Sequence, residues 1–341
     1  MTVIINKPGF NLRETLTSLK RKIGIKGAEL MAAETVSDVY SVIGTNRNLI
    51  INGSFDVWQR GTSFSSGTQY TADRWYSYQT GSFAQSLTKS SLTEHGYAAE
   101  VLSNATSGYA MIAQVVENSS QLKGTYTLSF YIKSTGTGNV RIEFRQNTSS
   151  TTIWQDVAYT TVSTGWQRVT KTIYLSETDN IRILIGVATG TPGATVSITK
   201  VQFELGSVAT PFEHRPYGTE LALCQRYLTV FGTPANNQYV HLGIATLYTA
   251  TAINLAVALP VSMRTTPSLT TVLNGSSVWL QTYIGASGIN SNAIVATGEY
   301  LSVGSNTIRL YCTGAYSGGT VGQSAWCQVM NGAQLQFIAE L

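Results

Sequence analysis

The side chains that most often bind metals or act as nucleophiles are few in this chain and lie far apart in sequence. The three histidines show neither the HExxH nor the HxH spacing that presents two ligands on one face, and the three cysteines form no CxxC pair. No GxSxG segment supports a serine hydrolase. These patterns argue against a zinc site and against nucleophilic catalysis. The residues concerned are His95, His214, His241, Cys224, Cys312 and Cys327.

Carboxylates are the remaining candidates for catalysis, because glycoside hydrolysis needs two carboxyl groups about 5 to 10 Å apart. Residues 47–216 contain enough acids for folding to bring such a pair together. Residues 229–341 offer only Glu299 and Glu340, which argues against an active site built wholly within them. A polysaccharide depolymerase therefore remains an alternative function for the chain as a whole.

Aromatic side chains are abundant, with 6 Trp, 18 Tyr and 10 Phe. Sugar rings present apolar C–H faces that lie flat on Trp and Tyr rings, while neighbouring Asn, Gln and Ser bind the hydroxyls. Core packing and subunit contacts are alternative roles for each of these rings. The glycan-binding candidates, most of them in or beside loops rich in Gly, Ser and Asn, are Trp154, Trp279, Tyr283, Tyr300, Tyr316 and Trp326.

The elements that must position these rings are predicted to be β-strands. Only 12% of the 341 residues are charged, and from residue 48 onward β-branched and aromatic residues alternate with polar ones between Gly, Ser, Thr and Asn clusters. Short strands without intervening helices predict a mainly β fold of two jelly-roll-like sandwiches. The predicted domains are a helical segment at 1–46, a central sandwich at 47–216, a helical linker at 217–228 and a C-terminal sandwich at 229–341.

The N-terminal segment has a helical rather than a β pattern. Its apolar residues recur at spacings of three and four, so they form stripes along two short helices. Two short helices cannot enclose a core of their own, so the stripes are expected to bind another protein. The predicted anchoring residues are Leu12, Leu16, Leu19, Ile23, Val36 and Val39.

Charge is scarcest at the other end of the chain. Residues 229–341 contain only Arg264, Glu299, Arg309 and Glu340 as charged residues. Obligate interfaces are depleted in charge, so we expect copies of the chain to cover this region, most simply as a homotrimer. Cys312 and Cys327 flank one loop and could face each other on paired strands; free thiols are expected, and a disulfide bridge is the alternative.

The sequence also argues against two further classes of partner, nucleic acids and membranes. The net charge of +4 comes from scattered bases, so no nucleic-acid partner is expected. The longest uncharged stretch, residues 242–263, contains several Thr, one Asn and one Pro and alternates like strands, so no membrane insertion is expected.

Four segments together resemble tailed-bacteriophage fibre and receptor-binding proteins that contain a carbohydrate-binding-module-like jelly roll. They read NLIINGSFDVWQRGTSF at 48–64, YTADRWY at 70–76, VQFELGSVATPFEHRPYGTEL at 201–221 and CQRYL at 224–228. The resemblance implies a homotrimer on a virion, in a tail fibre or other external appendage. It also implies docking to other virion proteins through the N-terminus and non-catalytic binding of host surface polysaccharide.

The same resemblance raises two further points. Related sugar-binding jelly rolls often hold a structural calcium ion between the first and last strands, where Asp56 and Glu204 stand here; two carboxylates are too few to define a site of six to eight oxygens. No other cofactor is expected. A purely structural virion adaptor or head-decorating fibre, without a receptor, is the alternative to an attachment protein.

Overall fold

The structure is a computed structural model. It describes residues 47–65, 67–80, 85–92, 95–103, 109–136, 138–156, 161–176, 179–188, 194–232, 239–273, 280–284, 287–290, 297–300, 307–313, 319–330 and 332–341. Residues Asn48–Leu341 form one compact unit. The six predicted anchoring residues lie outside the described residues: Leu12, Leu16, Leu19, Ile23, Val36 and Val39.

The prediction of a mainly β fold is confirmed, because strands of the described residues form four antiparallel sheets. Two of these sheets are built from residues 63–205. Their strands are Ser63–Phe64 (β1), Tyr76–Thr80 (β2), Gln85–Leu92 (β3), Gly96–Ser103 (β4), Tyr109–Val115 (β5), Gly124–Ser134 (β6), Asn139–Gln146 (β7), Thr152–Asp156 (β8), Gln167–Leu175 (β9), Ile181–Ala188 (β10) and Ala194–Leu205 (β11). A short 3-10 helix spans Ser119–Gln121.

The two sheets enclose one hydrophobic core. The six-stranded sheet has the order β1-β3-β4-β11-β6-β9, and the five-stranded sheet has the order β2-β5-β10-β7-β8. Alternation sets the inward faces: Leu128, Phe130 and Ile132 of β6 are fully buried and share a cluster with Ile142 and Phe144 of β7. Burial of each such side chain contributes about 1.5 to 3 kcal/mol.

One α-helix, Tyr217–Gln225 (α1), follows the central sheets within the predicted linker. It begins after Pro216, whose fixed φ suits a helix start. Glu220 and Cys224 are four residues apart and form its buried face. No helix in the described ranges combines the length and the hydrophobicity needed to span a lipid bilayer.

The remaining strands form a second pair of sheets. These strands are Leu228–Phe231 (β12), Val240–Thr249 (β13), Ala252–Ala258 (β14), Ser268–Leu273 (β15), Leu280–Ile284 (β16), Ser287–Asn290 (β17), Thr297–Tyr300 (β18), Thr307–Thr313 (β19), Ser324–Val329 (β20) and Ala333–Ile338 (β21). The orders are β12-β21-β15 in the three-stranded sheet and β17-β16-β20-β13-β14-β19-β18 in the seven-stranded sheet. Both sheets contribute to one core cluster.

Two cysteines lie in this second core. Cys312 on β19 and Cys327 on β20 are buried free thiols. The two cysteines do not lie on paired strands, the arrangement that the sequence left open, because β13 and β14 lie between β19 and β20. Burial raises the pKa of Cys327 to about 11 and that of Cys312 to about 12.

The end of the chain returns to the central sheets at a charged junction. Arg74 Nη1 donates to Glu340 Oε2 at 2.6 Å, and Arg74 Nη2 donates to the carbonyl oxygen of Val115 at 2.7 Å. The Arg74 guanidinium lies 3.6 Å from the centre of the Tyr227 ring, and Arg60 Nη2 lies 3.3 Å from Glu340 Oε1. We call Arg60, Arg74, Tyr227 and Glu340 the seam.

Candidate functional site

Two of the predicted glycan-binding rings meet on the outer face of the seven-stranded sheet. Trp326 alternates on β20 with the buried Ala325 and Cys327, so its ring points away from the core. The strand register places Tyr283 of β16 directly opposite Trp326. The two rings stack with centroids 4.2 Å apart and planes 7° apart, and Trp326 remains 40% exposed.

Polar side chains border this ring pair. The imidazole of His241 on β13 lies 5.0 Å from the Trp326 ring. Gln281 and Gln328 are also opposite each other in the register of β16 and β20. Tyr283 Oη donates to Gln281 Oε1 at 3.0 Å, and Gln328 Nε2 donates to the same oxygen. We call these five residues the ring platform.

The ring platform has the groups that suit a flat ligand with hydroxyl groups. The exposed part of the Trp326 ring offers an apolar surface, while carboxamide groups both donate and accept hydrogen bonds. A β-bulge between His241 and Gly243 changes the pairing of β13 beside Trp326. Ile244, on the far side of that bulge, is 72% exposed and opposite Trp326 in the register.

The other candidate rings lie elsewhere. Tyr300 ends β18, at the opposite edge of the sheet from β16 and β17, where it pairs with Ile308 of β19. Trp154 is half-buried on β8 of the central sheets, with its ring 6.0 Å from Phe144 and the Nζ of Lys171 4.0 Å from its centre. Trp154 therefore packs on the central core. Trp279 and Tyr316 lie outside the described residues.

Sequence reasoning missed His241, Gln281 and Gln328 as platform residues. Strand alternation indicates in part that Gln281 faces outward, because it stands between Leu280 and Thr282, which are both buried. The pairing of β16 with β20 brings it to the rings. Composition alone gives no such pairing.

The two carboxylates considered for calcium accept hydrogen bonds from the chain itself. Asp56 Oδ2 accepts from Ser54 Oγ at 2.5 Å. Glu204 Oε1 accepts from Gln202 Nε2 at 2.7 Å, and Glu204 Oε2 accepts from Thr210 Oγ1 at 2.6 Å. Within the described ranges, no group of three or more His, Cys, Asp or Glu side chains is placed to hold a metal ion. The calcium site at Asp56 and Glu204 therefore stays a prediction.

Several residues of the segments quoted above hold the fold together. Asn52 Nδ2 donates to the backbone carbonyl oxygens of Val57 and Asp73 at 2.8 and 3.0 Å. The backbone carbonyl oxygen of Asn52 accepts from Trp75 Nε1 at 2.9 Å. Asp73 Oδ1 accepts from the backbone N–H of Gln59 at 2.8 Å. Burial raises the pKa of Asp73 to about 6, against the opposing effect of the Gln59 hydrogen bonds. These contacts are internal to the central sandwich.

Comparisons with known proteins give structural similarity alone. No protein-family model and no curated protein matches the chain. Similar solved structures include a CBM4 domain, with 17% identity over 45% of this chain and 97% of that chain at a TM-score of 0.32. A family 11 carbohydrate-binding module from Clostridium thermocellum, in complex with a β-1,3-1,4-mixed-linked tetrasaccharide, has 15% identity over 44% of this chain and 98% of that chain at 0.32. The enzymatically active domain of bacteriophage CBA120 tailspike protein 4 has 14% identity over 46% of this chain and 21% of that chain at 0.34.

Proposed function

We propose that this chain is a non-catalytic glycan-binding protein that attaches a bacteriophage particle to its host. The observation that carries the proposal is the exposed, parallel stack of Tyr283 and Trp326 beside the carboxamides of Gln281 and Gln328. An aromatic ring held by a neighbouring ring presents its apolar surface with little further loss of side-chain entropy, which favours binding of sugar rings.

The placement on a virion is supported by the resemblance of residues 48–64, 70–76, 201–221 and 224–228 to phage fibre proteins. In this proposal the chain forms a homotrimer in a tail fibre or other external appendage. Its N-terminal segment binds other virion proteins, and its ring platforms bind host surface polysaccharide. Single contacts with sugars are weak, and linked sites on one particle raise the total affinity without new contacts.

The experiment compares binding of the full chain to polysaccharide extracted from the host surface before and after Trp326→Ala. Removing the ring is expected to weaken binding about two- to tenfold per site, since an aromatic contact contributes roughly 0.5 to 1.5 kcal/mol beyond its buried area. The matched control is Tyr174→Ala, which removes a ring that is 70% exposed on the central sandwich. Glycan binding that survives Trp326→Ala unchanged would overturn the role of the ring platform.

A structural virion adaptor without a receptor is the second candidate. It is favoured by one observation: Asn52, Asp73 and Trp75, which lie in the segments that carry the phage resemblance, are engaged in internal hydrogen bonds. Under this function, deletion of residues 1–44 abolishes incorporation into particles, while Trp326→Ala leaves adsorption to the host unchanged. Loss of adsorption on Trp326→Ala, with incorporation intact, excludes it.

A further inference from the structure

The outer face of the five-stranded central sheet carries a second cluster of aromatic and charged side chains. Three tyrosines pack there against a small buried cluster separate from the main core. The tyrosines are Tyr76, Tyr78 and Tyr109, and the buried residues are Met111, Ala113 and Leu184. The rings of Tyr78 and Tyr109 are stacked with centroids 6.1 Å apart. This face thus has an aromatic border on β2 and β5.

Charged residues occupy the neighbouring strands of the same face. Glu143 of β7 is completely buried, and each of its two carboxylate oxygens accepts from a different arginine, Arg141 or Arg145. Arg145 also donates to the hydroxyls of Tyr78 and Tyr109, at 3.1 and 3.3 Å. The side chains of Arg141 and Arg145 remain 12% and 13% exposed. One carboxylate therefore serves two guanidinium groups that solvent still reaches.

A third arginine adds a positive charge without an acid to balance it. Arg182 of β10 lies directly opposite Arg145 in the register of β10 and β7. Like charges placed directly opposite each other destabilise a sheet. Among the described strand positions on this face, Glu143 is the only carboxylate. The face thus holds three guanidinium groups against one carboxylate.

Two polar atoms beside this excess charge are buried and have no hydrogen-bond partner among the described residues. They are Nε of Arg182 and Oη of Tyr76, and the Arg182 guanidinium lies 5.7 Å from the centre of the Tyr76 ring. Arg182 Nη2 is already used, because it donates to the side chain and the carbonyl of Asn147. Buried polar atoms in folded proteins nearly always have partners, so these two indicate a missing acceptor. Burial raises the pKa of Tyr76, so its hydroxyl keeps its proton and can donate.

We propose that this face binds the anionic group of an acidic sugar residue between Arg182, Arg145 and Tyr76. Guanidinium groups bind carboxylates through charge-assisted, often bidentate hydrogen bonds, and the tyrosine rings beside them suit the sugar ring that carries the charge. The inference rests on the proposed function in one respect: it takes the anion to be part of a glycan. Phosphate and sulfate esters share the charge, so the test separates them from carboxylates.

The test is calorimetric titration of the full chain with four probes: trigalacturonate, its methyl ester, glucose 6-sulfate and inorganic phosphate. Trigalacturonate is expected to bind, and the methyl ester to bind at least about tenfold more weakly, because a charge-assisted hydrogen bond is lost. Binding should also weaken as salt rises. Tighter binding of the sulfate or the phosphate than of trigalacturonate would overturn the carboxylate assignment, and equal binding of the ester would overturn the anion site.

Variants separate binding from folding. Arg182→Gln removes the charge opposite Arg145, so binding of trigalacturonate is expected to fall about tenfold or more, while the melting temperature reports the loss of the hydrogen bonds to Asn147. Tyr76→Phe removes only the hydroxyl and should weaken binding to a smaller extent. Arg168→Gln, on the six-stranded sheet, is the matched control and should leave trigalacturonate binding unchanged. A lowered melting temperature with unchanged binding in Arg182→Gln would show a purely structural arginine.

The same titrations distinguish this site from the ring platform. Trp326→Ala should leave trigalacturonate binding intact, because Trp326 belongs to the seven-stranded sheet and Arg182 to the five-stranded sheet. Loss of host polysaccharide binding in Trp326→Ala, together with no trigalacturonate binding by the unaltered chain, would refute the acidic-sugar site and leave the proposed function standing. Trigalacturonate binding by the unaltered chain, together with host polysaccharide binding that Trp326→Ala leaves unchanged, would refute the ring platform alone.

Discussion

The two sheet pairs have the same antiparallel architecture but use charge in opposite ways. The central pair places arginines and glutamates on its own faces, as in the cluster around Glu143. The C-terminal pair has four charged residues: Arg264 and Glu340 lie at or beside the seam, and Glu299 is opposite Arg309 in the register of β18 and β19. Its outer face therefore carries mainly uncharged side chains, among them the aromatic rings and carboxamides of the ring platform. The comparison shows that the outward strand positions, and not the β architecture, determine the chemistry that each half presents on its surface.

The largest expected effect of a single substitution is at the seam, where Arg74 of the central half pairs with Glu340 of the C-terminal half. Arg74 and Glu340 have side chains only 1% and 5% exposed, so removing one leaves the other as a buried charge without its partner. Glu340→Ala is expected to lower the free energy of unfolding by about 3 to 5 kcal/mol, measured by urea denaturation. The control Lys123→Ala, at an exposed position, should change it by less than about 0.5 kcal/mol. Equal effects of the two variants would contradict a structural seam.

A second prediction concerns pH and the buried carboxyl of the central half. Burial raises the pKa of Asp73 from 3.8 to about 6. The folded state then binds a proton that the unfolded state has lost, so the free energy of unfolding should fall as pH rises from about 4 to about 6 and stay level above that. In the unaltered chain this fall is up to about 3 kcal/mol. The Asp73→Asn side chain cannot ionise, so the free energy of unfolding of this variant should not show that fall between about pH 4 and about pH 6.

The control for this pH effect is Asp179, whose side chain is partly exposed. Its slight burial raises its pKa, but hydrogen bonds from Thr148 lower it more, so the net shift is downward. Any stability that Asp179 contributes is therefore lost as pH falls, which is the opposite sign. A fall with rising pH that persists in Asp73→Asn would assign the effect to another group.

Local patterns were sufficient for the strands but not for the sites. The alternation from residue 48 onward predicts strands, and β7 over Asn139–Gln146 is one of them, because alternation is set by near neighbours. The seam pairs Arg74 with Glu340 across 266 residues, and Trp326 meets Tyr283 only because β20 pairs with β16. Such partners follow from sheet order. The sequence therefore identified Trp326 and Tyr283 as candidates together with Trp154, which packs on the core, and could not separate them.

A third prediction tests whether copies of the chain cover the charge-poor half. Val321 is 64% exposed and stands outside the ring platform in the C-terminal half, where a contact between copies of the chain would bury it. In the proposed homotrimer, Val321→Glu should weaken association by about 1.5 to 3 kcal/mol, the free energy of burying one aliphatic side chain, as measured by light scattering against concentration. Val208→Glu is the matched control, because Val208 is 72% exposed but lies on the central half. The homotrimer is contradicted if both variants leave the assembly unchanged, or if the unaltered chain is a monomer at micromolar concentration. A different partner must then cover the charge-poor residues after 229, and the ring platform is the surface on which to look for it.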